Sequence, residues 1–148
     1  MKKTLSLFLI LTFVLALSAC STDIVSIEDY EWKMRTVTSN DIEVAQSADE
    51  LVVAVGEADE SYPNAEIVDL TLSAKDGTIT VTDATNGKTY SGSYKVQQKT
   101  PKGTTYEITV DGVTGYATAA PTEYHDGSEI PTLPINLGDY SLYFIPAA

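Results

Sequence analysis

The alternation of apolar and polar side chains over most of the chain is the feature that most constrains its fold. Val68, Leu70 and Leu72 share one parity, and similar runs follow further along the chain. Side chains two residues apart lie on one face of a strand, so this period is typical of half-buried β-strands. Asn86 and Gly87, between two such runs, form a pair that favours a tight hairpin turn. The pattern predicts consecutive antiparallel strands.

About eight such strands follow one another between residues 30 and 146, and no segment has a long helical period. The first carries Trp32 between charged residues, and the last carries Tyr140, Leu142 and Phe144 at one parity. An open sheet of this length would leave two unpaired edges and bury one face only, so closure into a barrel or folding into a sandwich is favoured, and about eight strands suit a small barrel. We therefore predict an all-β fold, a single antiparallel meander of about eight strands closed into a small barrel.

The first 19 residues have the make-up of a secretory signal peptide. Lys2 and Lys3 give it a positive start, and residues 5–16 are apolar apart from Ser6 and Thr12. A membrane-spanning helix needs roughly 20 apolar residues, and this run is shorter. We expect residues 1–19 to be removed and the remainder to work outside the cytoplasm.

The residues that follow the apolar run are Leu17, Ser18, Ala19 and Cys20, and they resemble a bacterial lipobox. The resemblance implies that Cys20, the only cysteine, is the lipid attachment site and the first residue of the mature chain. Two acyl chains hold a protein stably on a bilayer, whereas one gives marginal binding. We expect a lipid-anchored, extracytoplasmic protein at the cell membrane, with residues 20–29 as a short linker to a barrel over residues 30–146.

The chain of 148 residues carries 21 acidic and 9 basic side chains, a net charge of −12. Loss of Lys2 and Lys3 with the signal peptide would leave 7 basic residues against 21 acidic ones, and a net charge of −14. This balance argues against a nucleic-acid partner, because phosphate binding needs a basic surface. It leaves the membrane, through Cys20, as the first expected partner.

The order of elements from residue 30 to residue 146 resembles the lipocalin-like (calycin) barrels of small bacterial lipoproteins. Four segments carry the resemblance: Tyr-Glu-Trp-Lys-Met at 30–34, Lys-Asp-Gly-Thr-Ile-Thr-Val at 75–81, Gly-Ser-Tyr-Lys-Val at 92–96 and Tyr-Glu-Ile at 106–108. Tyr30 stands where the lipocalin Gly-x-Trp motif has glycine. The resemblance implies an up-and-down barrel with a cup at one end.

Residue types with catalytic or metal-binding chemistry are sparse. His125 is the only histidine, and its neighbours Asp126 and Ser128 are too close in sequence for the geometry of a catalytic triad. Zinc sites need several Cys or His ligands, which the chain lacks. We therefore expect no enzyme activity, no catalytic residues, no metal and no cofactor.

An acidic stretch lies in the first half of the chain. Glu57, Asp59 and Glu60 lack the spacing of a calcium-binding loop, and we interpret them as a solvated loop. Residues 49–55, just before it, fit either a brief helix or a strand, and their three valines favour a strand.

Aromatic residues give the clearest indication of function. Nine tyrosines and one tryptophan are present, and six of these side chains have the parity of the predicted interior: Tyr30, Trp32, Tyr90, Tyr94, Tyr106 and Tyr140. Buried tyrosine hydroxyls need partners, so the set is suited to line a cup for a small amphipathic ligand or a sugar. We expect Gly92, Gly115 and Ala117 to leave room beside them.

Three functions remain open at this point. In the first, the barrel binds a small molecule in its cup. In the second, it is a structural or protein-interaction module of the cell envelope, and the tyrosines only fill its core. In the third, it is a hydrolase of unknown type, for which the sequence shows no residue pair that would carry the chemistry.

Overall fold

A computed structural model describes residues 24–40, 42–47 and 66–148 of the chain, with backbone alone at residues 42 and 43. The predicted signal peptide, Cys20, the predicted strand at 49–55 and the acidic stretch at 57–60 lie outside the described residues. In the part of the chain that is described, every regular element is a β-strand.

Ten strands are present over the described ranges. They are β1 (Trp32–Ser39), β2 (Ile42–Gln46), β3 (Glu66–Ile67), β4 (Leu70–Lys75), β5 (Thr78–Asp83), β6 (Lys88–Thr100), β7 (Gly103–Val110), β8 (Val113–Glu123), β9 (Glu129–Leu137) and β10 (Tyr140–Pro146).

Eight of these strands form a closed antiparallel ring. Strands β4 to β10 pair in chain order, and β1 closes the ring between β10 and β4. Trp32 pairs with Pro146 on one side and with Leu72 on the other. The closure confirms the predicted all-β meander barrel of about eight strands, an architecture consistent with a calycin-like fold.

Two short strands lie outside the ring. The first part of β1 pairs with β4, whereas from Thr36 onward the same edge of β1 pairs with β2. Strand β3 then adds to β2 in parallel. The barrel wall is therefore split beside β1, and β2 and β3 flank the split.

Two glycines mark close approaches between neighbouring strands. A Cβ built on Gly92 would lie 1.9 Å from the carbonyl oxygen of Thr109, and one on Gly115 would lie 2.0 Å from that of Asn136. Glycine in a strand interior often permits such tight bends in barrels. The room that the sequence predicts beside Gly92 and Gly115 is therefore filled by main chain.

The two ends of the barrel differ. Strand β1 starts at Trp32 beside the buried Ile27, so residues 24–31 lie at this end, which we call the closed end. Because neighbouring strands are antiparallel, the turns after β5, β7 and β9 lie at the opposite, open end. Between the ends lies the core, formed by the buried side chains Ile27, Trp32, Met34, Val37, Leu72, Ala74, Ile79, Tyr106, Ile108, Val110, Ala117, Ala119, Leu133, Ile135 and Phe144.

Candidate functional site

An apolar cavity of about 250 Å³ lies inside the barrel and reaches the turn between β7 and β8. We call it the cup. Alternating residues of seven ring strands point into it, because the period of two places them all on the inner face. Its lining consists of Leu70, Leu72, Val81, Tyr90, Ile108, Val110, Asp111, Val113, Ile135, Leu137, Leu142 and Phe144.

A second concavity of about 670 Å³ continues from the cup at the open end, and we call it the mouth groove. It shares Leu70, Tyr90, Leu137 and Leu142 with the cup. Strands β2 and β3 supply its outer wall, where the ring is split, with Val44, Ala45, Glu66 and the following Val68. Val37, Ser39, Asp83, Asn86 and Tyr140 complete its lining.

Asp83 is the charged residue most firmly fixed in the mouth groove. Its Oδ1 accepts a hydrogen bond from the backbone N–H of Asn86 at 3.0 Å, and its Oδ2 accepts one from Asn86 Nδ2 at 2.8 Å. These bonds favour the ionised carboxylate and lower the pKa of Asp83 below its ordinary value. The mouth groove therefore keeps a negative charge at its wall.

The six predicted ligand-lining residues lie at different positions along the barrel axis. Tyr90 lines both the cup and the mouth groove, and Tyr140, which is 52% exposed, lines the mouth groove. The other four lie at the closed end: Tyr30, Trp32, Tyr94 and Tyr106. The structure thus brings two of the six residues, Tyr90 and Tyr140, together at the mouth groove.

Residues at the closed end form a plug rather than a cavity wall. Ile27 is fully buried; its N–H donates to the Tyr106 hydroxyl at 3.2 Å, and its carbonyl accepts from Trp32 Nε1 at 2.8 Å. Ser26 Oγ lies 3.2 Å from the same Tyr106 hydroxyl. The segment that the sequence assigns to a linker is thus fastened into the barrel end from Ser26 onward.

Tyr94 adds a second fastening to the plug. Its ring packs edge-on against Tyr106, with centroids 5.6 Å apart, and its hydroxyl donates to Glu28. Burial raises the pKa of Tyr94 to about 12, and the bond to Glu28 adds to the shift. At neutral pH this hydroxyl keeps its proton and remains a donor.

A third concavity of about 940 Å³, the outer groove, lies at the β8–β9 turn and on strands β1 and β10. The hydroxyls of Tyr124 and Tyr143 lie 3.4 Å apart there, and burial, followed by the bond to Tyr124, raises the pKa of Tyr143 to about 12. His125 and Arg35 are on its wall. The groove is wider than the cup and is lined by both polar and apolar groups.

In the turn that contains His125, the neighbouring Asp126 and Ser128 form hydrogen bonds with each other. Asp126 Oδ1 accepts hydrogen bonds from the N–H and the Oγ of Ser128, at 2.9 and 2.6 Å. Both bonds favour the ionised carboxylate and lower the pKa of Asp126. Ser128 therefore donates to a carboxylate within its own turn, which is a turn-forming arrangement.

Over the described residues, no group of three or more His, Cys, Asp or Glu side chains is placed to hold a metal ion. Over the same ranges, no helix is long and apolar enough to cross a membrane.

No family model, curated protein or solved structure matches the chain.

The apolar residues that build the cup are not singled out by their sequence. Leu70, Val81, Leu137 and Leu142 have the same parity as residues that pack the core. Period-two spacing identifies the face of a strand, whereas height along the barrel axis depends on strand tilt and register. In the sequence these residues lie close to turn residues, which indicates that they are near the ends of their strands.

Proposed function

We propose that this chain is a membrane-anchored extracytoplasmic lipoprotein whose barrel binds a small apolar or amphipathic molecule through its open end. The observation that carries the proposal is the cup, which is walled by apolar side chains and opens into the mouth groove. Small-molecule sites are mostly concave and apolar with a few polar groups at defined positions. Tyr90, Tyr140 and Asp83 supply such groups here.

The volume of the cup favours a ligand-binding site over a packing defect in the barrel core. Protein interiors are packed as densely as organic crystals, with few voids larger than a water molecule. The cup opens into the mouth groove, so without a ligand its apolar wall is exposed to water, at a cost of about 25 cal/mol per Å² of apolar surface. A ligand with an apolar part would remove that cost.

The position of the chain's N-terminal side supports a defined orientation on the membrane. Ile24, the first described residue, belongs to the closed end, and Cys20 precedes it by four residues. Four extended residues span at most about 14 Å. A lipid on Cys20 would hold the closed end near the bilayer and direct the open end away from it.

A second candidate function is a protein-interaction module of the envelope. The outer groove is the observation that favours it, because the groove is larger than the cup and carries mixed polar and apolar groups, among them Arg35, Tyr124 and Ile145. This function needs no ligand in the cup. A measurement of ligand binding therefore distinguishes it from the first proposal.

The test uses the neutral apolar dye N-phenyl-1-naphthylamine and residues 21–148, since the buried core of the described barrel lies wholly within this part. We expect saturable fluorescence enhancement with one site. Val81→Phe fills the cup and should weaken binding at least about tenfold, as a blocked pocket loses its contacts. Val96→Phe, also on a strand but 49% exposed and outside the cup, is the matched control. Absence of saturable binding, or equal binding by both variants, would contradict the proposal.

A further inference from the structure

We propose that the cup and mouth groove select a cationic amphipath, with its apolar part in the cup and its ammonium group among the carboxylates of the open end. This inference rests on the proposed binding function and adds the chemical class of the ligand. It is carried by charge complementarity: among the residues that the structure describes, the charged groups around the apolar site are mostly acidic.

The described part of the open end carries five carboxylates and one ammonium group. Glu66 and Asp83 line the mouth groove, and Asp111 lines the cup. Asp69 bonds to the β5–β6 turn, and Asp139 lies in the β9–β10 turn. The single ammonium group is that of Lys88, which pairs in register with Asp83. An anionic headgroup would therefore meet repulsion at this end, whereas a cation would be attracted.

The linings of the two concavities agree with this charge balance. Every charged residue that lines the cup or the mouth groove is acidic, namely Asp111, Asp83 and Glu66. A concave site with apolar walls focuses the field of the charges at its edge, which strengthens attraction for an opposite charge. The fixed carboxylate of Asp83 faces this space from β5, and Glu66 faces it from β3.

Two tyrosine rings add a second kind of affinity for a cation. Tyr90 and Tyr140 line the mouth groove on nearly opposite walls, from β6 and β10. The face of an aromatic ring attracts an ammonium group, by about 0.5–1 kcal/mol at exposed sites. The groove therefore offers carboxylates and two aromatic side chains to a cationic group that lies above an apolar tail.

Apart from Lys88, the following basic residues lie away from this site. Lys75, Lys99 and Lys102 lie in or beside closed-end turns, and Lys95 forms an ion pair with Glu107 at 2.6 Å on the outer face. This separation leaves the open end acidic while the closed end is mixed in charge. The asymmetry should steer cations toward the mouth groove and reduce the approach of anions.

The dimensions of the cup set the size of the apolar part. A space of about 250 Å³ holds roughly eight groups of the size of a water molecule or methylene. An alkyl chain of about eight carbons would fill it, and a longer chain would extend into the mouth groove. The expected ligand is therefore a compact amine with a short apolar tail.

Three probes with the same number of carbon atoms test the inference on residues 21–148: n-octylammonium, 1-octanol and octanoate. We expect calorimetry to show octylammonium binding roughly tenfold tighter than octanol, and octanoate weaker than octanol. Raising the salt to about 0.5 M should reduce the advantage of the cation, because the charges are partly screened. Equal binding of octylammonium and octanol would overturn the inference and leave the binding function standing. Failure of all three probes would contradict the binding function itself.

Two triple variants test which carboxylates cause the preference for octylammonium over octanol. Glu66→Gln, Asp111→Asn and Asp139→Asn together remove three carboxylates at the open end, and Asn tolerates the positive φ of 49° at position 111. Asp76→Asn, Glu123→Gln and Glu129→Gln make the same charge change at the closed end. We expect the first set alone to reduce the preference for octylammonium over octanol, with the part that remains due to Asp83. An equal loss in the second set would assign the preference to net charge and overturn the proposed site.

Discussion

The indole Nε1 of Trp32 donates a hydrogen bond to the carbonyl oxygen of Ile27 at 2.8 Å, and both residues are fully buried. The bond joins β1 to the segment that precedes it. Because the Tyr106 hydroxyl accepts from the N–H of the same Ile27, both backbone groups of this residue are satisfied within the barrel end. The closed end thus belongs to the folding unit, and the cup opens at the other end.

Removal of the indole donor should destabilise the fold. Trp32→Phe keeps an aromatic ring but leaves the buried Ile27 carbonyl without its partner, which costs about 1–3 kcal/mol. The smaller ring also packs less completely, which lowers the free energy of unfolding further. Urea unfolding monitored by circular dichroism should show a lower midpoint at an unchanged slope. The control is Tyr116→Phe, at a tyrosine that is 55% exposed, which should change stability by less than about 0.5 kcal/mol. Equal midpoints for Trp32→Phe and the parent protein would contradict the plug.

A methyl group at the barrel bend should be poorly tolerated. Gly92→Ala would place a Cβ 1.9 Å from the carbonyl oxygen of Thr109, so the two strands must separate. We expect a loss of about 3 kcal/mol or failure to fold. Gly87→Ala is the comparison, because nothing lies within 4 Å of its Cβ and only its φ of 63° opposes the change, at about 1 kcal/mol. Thermal melts of both variants test this order, and a reversed order would show that the close approach is absent.

Asn86→Ala should reduce stability in a pH-dependent way. The Asn86 amide and N–H lower the pKa of Asp83 in the folded state below its ordinary 3.8, so this contribution is complete above that pH and is lost as pH falls below it. The difference between the parent protein and the variant should therefore be largest above about pH 4 and should shrink in acid. Urea midpoints over a pH series measure it.

The control for that pH series is another Asn→Ala change without a carboxylate. Asn136 accepts a hydrogen bond from Ser141 at 2.7 Å, and neither group titrates in acid. The destabilisation by Asn136→Ala should stay constant across the series. A constant difference for Asn86→Ala as well would show that Asp83 is not the titrating group.

Cys20→Ser should prevent lipid attachment without altering the barrel. In the proposed lipoprotein the Cys20 thiol accepts the lipid, and a serine hydroxyl would not replace it. Palmitate labelling should be lost and the protein should leave the membrane fraction, whereas the far-UV spectrum of the barrel should match that of the parent. Retention of the label in Cys20→Ser would refute the anchor.

Orientation on the membrane can be measured with a thiol-reactive fluorophore at either end. Lys102→Cys places the label in the closed-end turn between β6 and β7, and Asp139→Cys places it in the open-end turn between β9 and β10. A lipidated Cys20 would not react with the label. Quenchers in the bilayer should reduce the fluorescence at position 102 more than at position 139, and the reverse order would mean that the mouth groove faces the membrane.

The sequence was sufficient to predict the strand architecture because its signals are local. Asp111 and Gly112 form a tight turn, with φ of 49° and 80°, and the meander order follows from such turns. Closure was predicted from the cost of unpaired edges. The split beside β1 could not be predicted, since it depends on a pairing between Thr36 and Gln46 that no periodic pattern distinguishes.

The candidate site was predicted less completely than the fold. The inward parity of Tyr90 and Trp32 follows from their strands, yet Tyr90 lines the cup and Trp32 fastens the plug. The two residues lie at different positions along the barrel axis, and these positions depend on strand tilt and register. The burial of Ile27 depends on Tyr106, 79 residues later in the chain, so local sequence carries no signal for the plug.

The most direct test of binding in the cup is an NMR measurement of intermolecular NOEs from the alkyl protons of n-octylammonium to the protein. Binding in the cup predicts NOEs to the methyl groups of Val81 and Leu142, which line it, and none to Ile27 in the plug. NOEs confined to exposed methyl groups such as those of Val96, or no NOEs at saturating ligand, would contradict a ligand-binding cup.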